Sequence, residues 1–170
     1  MPVASLEQVY RQAGDSAIVR NAHRVLKGDL PVSAEKEEGK KDFFVLARES
    51  PGAILQTLLE VVTQRLPSRG YDALQDVQVL TPMHKGPLGS EALNEALQNA
   101  LNANGRSLNR GKRCYREGDR VLQQRNDYDK EVFNGDVGLV LEVQEAAMTV
   151  RFGARRVNYV GDEIDDLVLA

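Results

Sequence analysis

A short apolar run followed by a glycine-rich loop and a helix constrains this chain more than any other feature. The run Val77–Leu80 contains β-branched residues that favour a strand, and it stops at Thr81-Pro82 because proline cannot donate a hydrogen bond to a sheet. Ser90 then favours the start of a helix, with alanine and leucine at helical spacing up to Leu101. The sequence therefore predicts a strand–loop–helix unit of an α/β protein.

The loop of this unit contains two basic side chains, His84 and Lys85. In α/β proteins such loops lie at the carboxyl ends of the strands, where ligands usually bind, so these side chains and the loop amides are candidates for phosphate or nucleic-acid contacts. The alternative is a connecting loop with two solvated cations. The residue pattern by itself favours that alternative.

Two helices are predicted near the start of the chain. Ser5 and Gln8 match a capping box, and a second helix is predicted from Asp15 to Gly28. Arg11 falls on the polar side of the first helix, where an arginine is usually solvated. The second helix is expected to turn one apolar side inward, formed by Ile18, Val19, Ala22, Val25 and Leu26.

The region before Val77 has the alternation of an α/β fold. A charged loop at 31–42 is followed by a strand at 43–47 and by a helix that begins at Ser50-Pro51. Together with the unit at 77–101, these elements predict a parallel sheet covered by helices. Two strands would form an incomplete sheet, because its edges would need further neighbours.

Gly105 to Arg125 is strongly basic, with seven arginine and lysine residues against two carboxylates, although the whole chain has a formal net charge of −3. Such a segment can neutralise backbone phosphates, and Arg110, Lys112 and Arg113 are its central cations. A flexible connector is the other interpretation and, for a run of this length, the commoner one.

From Gly118 the sequence pattern changes to short segments in which apolar and polar residues alternate, as in strands. The tight-turn pair Asn134-Gly135 separates the first two of four predicted strands, which are 120–125, 138–143, 148–152 and 156–160. Strands of this number and length are typical of a small SH3-like barrel. The acidic segment 162–167 is interpreted as a solvated turn rather than a metal site, because no histidine or cysteine is near it.

The sequence contains few groups from which an active site could be assembled. It has no phosphate-binding loop or zinc-protease pattern, its histidines are His23 and His84, and its single cysteine is Cys114. No nucleophile–base pair can be built, and no metal site is predicted. The ordinary composition, together with the lack of a long apolar run, predicts a cytoplasmic protein with no membrane segment.

Three blocks of the sequence resemble RecD-like superfamily 1 DNA helicases, the family that includes the alpha subunit of exodeoxyribonuclease V. The blocks are LEQVYRQA at 6–13 with NAH at 21–23, VQVLTPMHKGPLG at 77–89, and GDRVLQQRNDY at 118–128 with VFNGDVG at 132–138. Their order and spacing also agree. The resemblance covers nearly the whole chain and is weakest at 31–42.

The resemblance implies an α/β architecture with a partial RecA-like parallel sheet and a small all-β SH3-like barrel. The implied boundaries are 1–104 for part of the second RecA-like domain, 105–117 for a basic linker, 118–165 for the barrel, and 166–170 for the return toward the RecA-like domain. The Walker A, Walker B, V and VI motifs of the family are not in this sequence. The chain is therefore expected to be a piece of an ATP-dependent 5′-to-3′ DNA helicase and to be inactive alone.

Site residues follow from the same resemblance. Arg11 matches the arginine of helicase motif IV, which is implied to contact the γ-phosphate of ATP with Gln12 beside it, and ATP and Mg²⁺ are the cofactors implied for the whole enzyme. The surface implied to contact DNA comprises Thr81, Pro82, His84, Lys85, Arg110, Lys112, Arg113, Asn126, Tyr128 and Asn134.

The implied partners are single-stranded DNA, the first RecA-like domain of the helicase and the subunits of an exonuclease complex. The alternative interpretation is a non-motor module, in which the barrel and the basic segment bind nucleic acid or another protein. In a salt titration of single-stranded DNA binding, a steep salt dependence that is lost on replacing Arg110, Lys112 and Arg113 would support DNA contact, because phosphate contacts weaken steeply with salt. No detectable DNA binding would favour a protein-docking role.

Overall fold

The computed structural model of the protein describes residues 16–36 and 39–170. The chain divides into two compact units, one ending at Arg48 and the other spanning Glu49–Ala170. Arg11 and Gln12, the predicted ATP contacts, lie outside the described residues. Within the described ranges, none of the helices has the length and apolar character needed to cross a membrane.

Helix α1 of the first unit, Ala17–Leu26, begins and ends on local signals. The Asp42 carboxylate accepts hydrogen bonds from the Ser16 hydroxyl at 2.8 Å and the Ala17 amide at 2.9 Å, which satisfies a free donor at the helix start. These bonds lower the pKa of Asp42 against the opposing effect of burial. The helix stops before Gly28, whose positive φ of 86° permits the reversal, as the sequence predicts.

The prediction of which side of α1 faces inward was wrong. Ala17 and Asn21 are buried, whereas Val25 and Leu26 are 59% and 83% exposed. Asn21 is drawn inward because its side-chain amide bonds both the backbone amide and the carbonyl of Val32, at 2.7 and 2.8 Å. Two backbone bonds therefore decide which side of the helix faces the rest of its unit.

The second unit opens with two helices. Helix α2, Pro51–Glu60, starts as predicted, with the Ser50 hydroxyl accepting from the Ala53 amide at 3.3 Å, and it continues into a π-helical turn at Val61–Arg65. Helix α3, Ser90–Leu101, has Gly89 rather than Ser90 at its cap position. Val62 and Leu93 are the buried residues of these two helices.

The prediction of strands at 43–47 and 77–80 was wrong. Both segments are without strand hydrogen bonding, and the residues described form two sheets, both antiparallel. A strand exists only where a neighbour accepts and donates its backbone hydrogen bonds, and neither segment has such a neighbour among the described residues. The helices and the all-β region confirm a mixture of α and β structure, but residues 16–36 and 39–170 do not show the parallel RecA-like sheet.

The small all-β domain is confirmed. The strands of its main sheet are β3 (Arg120–Gln123), β4 (Val137–Val143), β5 (Ala147–Phe152), β6 (Arg155–Val160) and β7 (Leu167–Leu169). This sheet is antiparallel in the order β6-β5-β4-β3-β7, and a 3-10 turn at Gly161–Asp166 leads into β7. Its core includes Val121, Val140, Val150, Tyr159 and Ile164, all at most 1% exposed.

The segment 105–117, predicted as a basic linker, is a β-hairpin instead. Strands β1 (Ser107–Arg110) and β2 (Arg113–Arg116) pair antiparallel, with Leu108 opposite Tyr115. Both of these side chains are buried in the barrel core, and the Tyr115 hydroxyl donates to the Leu167 carbonyl at 2.6 Å. The linker prediction was wrong because the charged residues between Leu108 and Tyr115 outnumber the apolar ones, so the sequence pattern does not show that this pair is buried.

Candidate nucleic-acid interface

The loop at 81–89 folds back over the start of α3. The Thr81 hydroxyl donates to the Leu88 carbonyl at 2.8 Å, and the Ser90 amide donates to the Met83 carbonyl at 2.9 Å. Pro82, His84 and Lys85 are exposed on the outside of this loop. The His84 ring nitrogen Nδ1 lies 3.4 Å from the Ser90 hydroxyl. The structure therefore uses Thr81 and one side of the His84 ring internally, whereas Pro82 and Lys85 are exposed.

Gly89 permits this close packing. A Cβ atom at this position would lie 2.6 Å from the carbonyl oxygen of His84, a distance that real Cβ atoms do not show. Gly89→Ala is therefore expected to lower the free energy of unfolding by about 1–3 kcal/mol through overpacking. Chemical denaturation measures the change.

Gly52→Ala is the matched control for Gly89→Ala. A Cβ at Gly52 meets no atom within 4 Å, and alanine is the better helix former, so this variant should be neutral or slightly stabilising. Equal stability of the two variants would show that the loop at 81–89 does not depend on the contact at Gly89.

The three cations predicted to contact DNA in the hairpin do not behave alike. Arg110 donates from two nitrogen atoms to the Asp165 carboxylate, both at 3.0 Å, and also pairs with Asp162. Arg113 donates to the carbonyl of Leu167 at 2.9 Å. Lys112, at the exposed hairpin turn, makes no ion pair with any described residue. Lys112 is therefore the hairpin cation that remains available to a phosphate.

The acidic turn after β6 is ion-paired rather than merely solvated. Its carboxylates contact cations from other parts of the domain: Asp162 and Asp165 contact Arg110, Glu163 contacts Lys130, and Asp166 contacts Arg125. The hydrogen bonds from Arg110 lower the pKa of Asp165. Over residues 16–36 and 39–170, the structure contains no acid, histidine or cysteine cluster suited to a metal ion.

The loop between β3 and β4 brings together the other three predicted DNA contacts, Asn126, Tyr128 and Asn134. The Asn126 side-chain oxygen accepts from the Asn134 backbone amide at 2.9 Å, and the Asn126 amide nitrogen lies 3.5 Å from the Tyr128 hydroxyl. Tyr128 is 74% exposed and packs edge-on against Phe133, with ring centroids 5.9 Å apart. The result is an exposed aromatic pair flanked by two amides.

Phe133 is the member of this site that sequence reasoning missed. It is 45% exposed although it is a large apolar residue, and its backbone amide donates to the Asp136 carboxylate at 2.8 Å. The available signal was an aromatic residue directly before the Asn134-Gly135 turn in an otherwise polar segment. We name Asn126, Tyr128, Phe133 and Asn134 the aromatic–amide cluster.

The loop carrying the aromatic–amide cluster is fixed at its base. Asp127 and Val132 exchange two backbone hydrogen bonds, at 2.8 and 3.0 Å, which close the loop. The Lys130 ammonium contacts the carboxylates of Asp127 at 3.1 Å and Glu163 at 2.7 Å. These contacts raise the pKa of Lys130 and lower the pKa of both acids, so the group is ionised at neutral pH. The backbone bonds and ion pairs of Asp127, Lys130 and Val132 therefore hold the loop that carries the exposed rings of Tyr128 and Phe133.

A buried carboxylate joins the barrel to α3. Asp119 is 4% exposed and accepts hydrogen bonds from the side chains of Gln98 and Asn102 and, at 2.6 Å, from the backbone amide of Arg116. Burial raises the pKa of Asp119 despite these donors. Along the same side of α3, the Asn94 side chain donates to the Leu169 carbonyl at 2.9 Å.

Arg120 links the barrel to the segment that precedes the 81–89 loop. Its guanidinium donates to the carbonyls of Leu74 at 2.8 Å and Val77 at 3.1 Å, and to the Gln78 side chain at 3.0 Å. Sequence reasoning missed both Asp119 and Arg120, because their partners lie on elements distant along the chain. Together they tie the β-barrel to the residues that carry His84 and Lys85.

Comparison with known proteins agrees with this architecture. Residues 93–152 match the family model described as the ATP-dependent RecD-like DNA helicase SH3 domain. The match includes most of α3 and the hairpin β1–β2 as well as strands β3 to β5. Over 168 residues, 99% of the chain, the sequence is 37% identical to the ATP-dependent RecD2 DNA helicase of Deinococcus radiodurans, and the chain spans 22% of that relative's length. Nearly the whole chain is thus similar in sequence to part of a RecD-like DNA helicase, and residues 93–152 match the SH3 domain of that family.

Proposed function

We propose that this chain is part of an ATP-dependent 5′-to-3′ DNA helicase of the RecD and exodeoxyribonuclease V alpha type, and that it contributes a surface for single-stranded DNA. The observation that supports this proposal best is the exposed aromatic–amide cluster on the SH3-like domain. Exposed aromatic rings stack on unpaired bases irrespective of sequence, and amide side chains bond base edges or phosphates. A translocating motor needs such sequence-independent contacts.

The proposal assigns ATP chemistry to residues near the start of the chain. Arg11, with Gln12 beside it, would contact the γ-phosphate of ATP bound with Mg²⁺ by the remainder of a longer protein. Arginine suits this role because it keeps its charge and binds phosphate oxygens through two parallel hydrogen bonds. The chain's own residues would therefore assist hydrolysis at a site completed by the first RecA-like domain.

The unpaired segments at 43–47 and 77–80 support a role within a larger protein. Each is apolar and, within the part of the chain that the structure describes, lacks the neighbours that a parallel strand requires. We propose that further strands of the second RecA-like domain supply these neighbours. In that setting Pro82, His84 and Lys85 would lie at the carboxyl edge of the sheet, where they would contact DNA.

Replacing both aromatic residues tests the DNA-binding proposal. Tyr128→Ala/Phe133→Ala is expected to weaken binding to an oligothymidine about ten-fold or more, because each stacked base contributes about 1–3 kcal/mol. Fluorescence anisotropy over a series of salt concentrations measures both the affinity and its salt slope. The slope of log affinity against log salt concentration should stay the same, because the two substitutions remove no phosphate contact.

Tyr71→Ala is the matched control, because Tyr71 is 52% exposed and lies outside the β-barrel. It should bind the oligothymidine as the unaltered protein does. Unchanged binding by the double variant would remove the aromatic–amide cluster from the DNA surface. A complete lack of DNA binding by the unaltered protein would favour the non-motor, protein-docking alternative.

A further inference from the structure

Two arginines lie directly opposite each other on the outer face of the barrel sheet. Arg151 on β5 pairs with Arg156 on β6, and Leu139 on β4 lies on the other side of Arg151 in the same row. Residues that are opposite each other in an antiparallel pair project from the same face, with Cβ atoms about 5 Å apart. Both arginines are exposed, whereas their neighbours Val150 and Val157 point into the core.

Neither arginine has a carboxylate partner among the residues described. The Arg151 side chain donates to the carbonyl of Gly153 at 3.2 Å, and the Arg156 side chain makes no hydrogen bond or ion pair within the described part of the chain. The acid on the same face, Glu142, lies opposite Thr149 in the adjacent row and accepts from the Gln144 side chain at 3.2 Å. The pair is therefore an uncompensated double positive charge.

Three other cations of the domain do have carboxylate partners. Arg110, Lys130 and Arg155 each contact at least one carboxylate, at the acidic turn or in the β3–β4 loop. Like charges placed directly opposite each other destabilise a sheet. An anion bound between Arg151 and Arg156 would offset this repulsion, and guanidinium groups bind phosphate oxygens with paired hydrogen bonds.

We propose that Arg151 and Arg156 form a contact site for the phosphate backbone of duplex DNA. Their face of the sheet carries Leu139, Thr149 and Asn158 and, within the described residues, no exposed aromatic side chain. Unpaired bases need a stacking surface, whereas the bases of a duplex already stack on one another and present phosphates outward. The chemistry of this face therefore suits double-stranded DNA.

The loop of the aromatic–amide cluster contacts the start of β6. Arg155, the residue before Arg156, pairs with the Glu131 carboxylate at 2.8 Å and bonds the backbone carbonyl of Glu131, which lies in that loop. Successive side chains of a strand project from opposite faces, so the Arg155 side chain lies on the face opposite to Arg156. In this proposal the barrel holds duplex DNA on one face of β6 and unpaired bases at the loop that contacts the other face.

The test compares duplex and single-stranded binding of Arg151→Gln/Arg156→Gln. The variant is expected to bind a blunt-ended duplex about ten-fold more weakly than the unaltered protein. The slope of log affinity against log salt concentration should become shallower by about two, one for each phosphate contact. With an oligothymidine of equal length, its affinity should be unchanged. Fluorescence anisotropy over a salt series measures both. The variant should be at least as stable to heat as the unaltered protein, because a like-charge pair is removed.

Arg65→Gln/Arg69→Gln is the matched control, since it removes two positive charges from the π-helical and 3-10 turns that follow α2, outside the barrel. Equal weakening by this control, or no change in duplex affinity in the Arg151/Arg156 variant, would overturn the inference. Equal losses on duplex and oligothymidine would overturn the assignment to duplex DNA. The inference rests on the proposed function only in that DNA is the ligand, and the oligothymidine measurement tests that function separately.

Discussion

Arg11→Ala in the full-length protein is expected to lower DNA-stimulated ATP hydrolysis by about 10³-fold. An arginine that contacts the γ-phosphate stabilises the charge that develops during transfer, and its loss typically costs at least that factor. ATP affinity should change little, because the nucleotide is held mainly by the other RecA-like domain in the proposed arrangement. Hydrolysis under single-turnover conditions and binding of a fluorescent ATP analogue separate the two quantities.

Two further variants sharpen the Arg11 experiment. Arg11→Lys keeps the positive charge but loses the paired hydrogen bonds, so it should recover only part of the rate. Arg20→Ala, which removes an arginine from α1, should leave hydrolysis close to normal. Normal turnover in Arg11→Ala would remove this residue from the ATP site and leave the proposed function to the DNA-contacting residues.

Asp119→Ala is expected to lower the free energy of unfolding by about 3 kcal/mol. The substitution leaves three donors without their acceptor, those of Gln98, Asn102 and the Arg116 backbone, at a position that is 4% exposed. Hydrogen bonds to a charged group are worth about 1.5–3 kcal/mol each, and unsatisfied buried donors add a penalty. Urea denaturation measures the loss.

The pH dependence of the same variant identifies the carboxylate as the cause. Burial raises the pKa of Asp119 in the folded state above its ordinary value of 3.8. The folded state therefore favours the protonated acid, and the unaltered protein loses part of this stabilisation as the pH rises from 3.8 through the folded-state pKa. The destabilisation by Asp119→Ala should accordingly be larger near pH 4 than at neutral pH.

Asp129→Ala is the control for Asp119→Ala. Asp129 is exposed in the β3–β4 loop, and its side chain makes no hydrogen bond with any residue in the described ranges. Its replacement should change stability by less than about 0.5 kcal/mol. A similar small effect for Asp119→Ala would show that the junction between α3 and the barrel does not depend on this carboxylate.

Local signals predicted the barrel strands well. Alternation of apolar and polar residues identified β4 to β6 to within a residue or two, and the Asn134-Gly135 pair marked the turn before β4, with a φ of 99° at Gly135. Ser50-Pro51 and Gly28 likewise marked the start of α2 and the end of α1. These features succeed because each depends on residues close together in the chain.

The sequence does not reveal partners that lie far along the chain. The carboxylate partners of Arg110 lie 52 and 55 residues later, and the predicted phosphate contact of Arg110 stays a prediction. The segment 105–117 is predicted as a linker because the buried pair Leu108 and Tyr115 stands among charged residues, but it forms the hairpin β1–β2. The apolar run at 77–80 is predicted as a strand, although a strand needs a neighbour that the run itself does not specify.

The turns, the helix ends, the alternation of the barrel strands and the resemblance to RecD-like helicases follow from the sequence, because they depend on neighbouring residues and on motif order. Which charges are paired follows only from the tertiary structure. Folding brings Tyr128 and Phe133 into contact across the β3–β4 loop, pairs Arg110 with the acidic turn, and gives Arg151 and Arg156 no carboxylate partner among the described residues. Ion pairs and ring contacts depend on distances in space, and the chain sets those distances only when it folds.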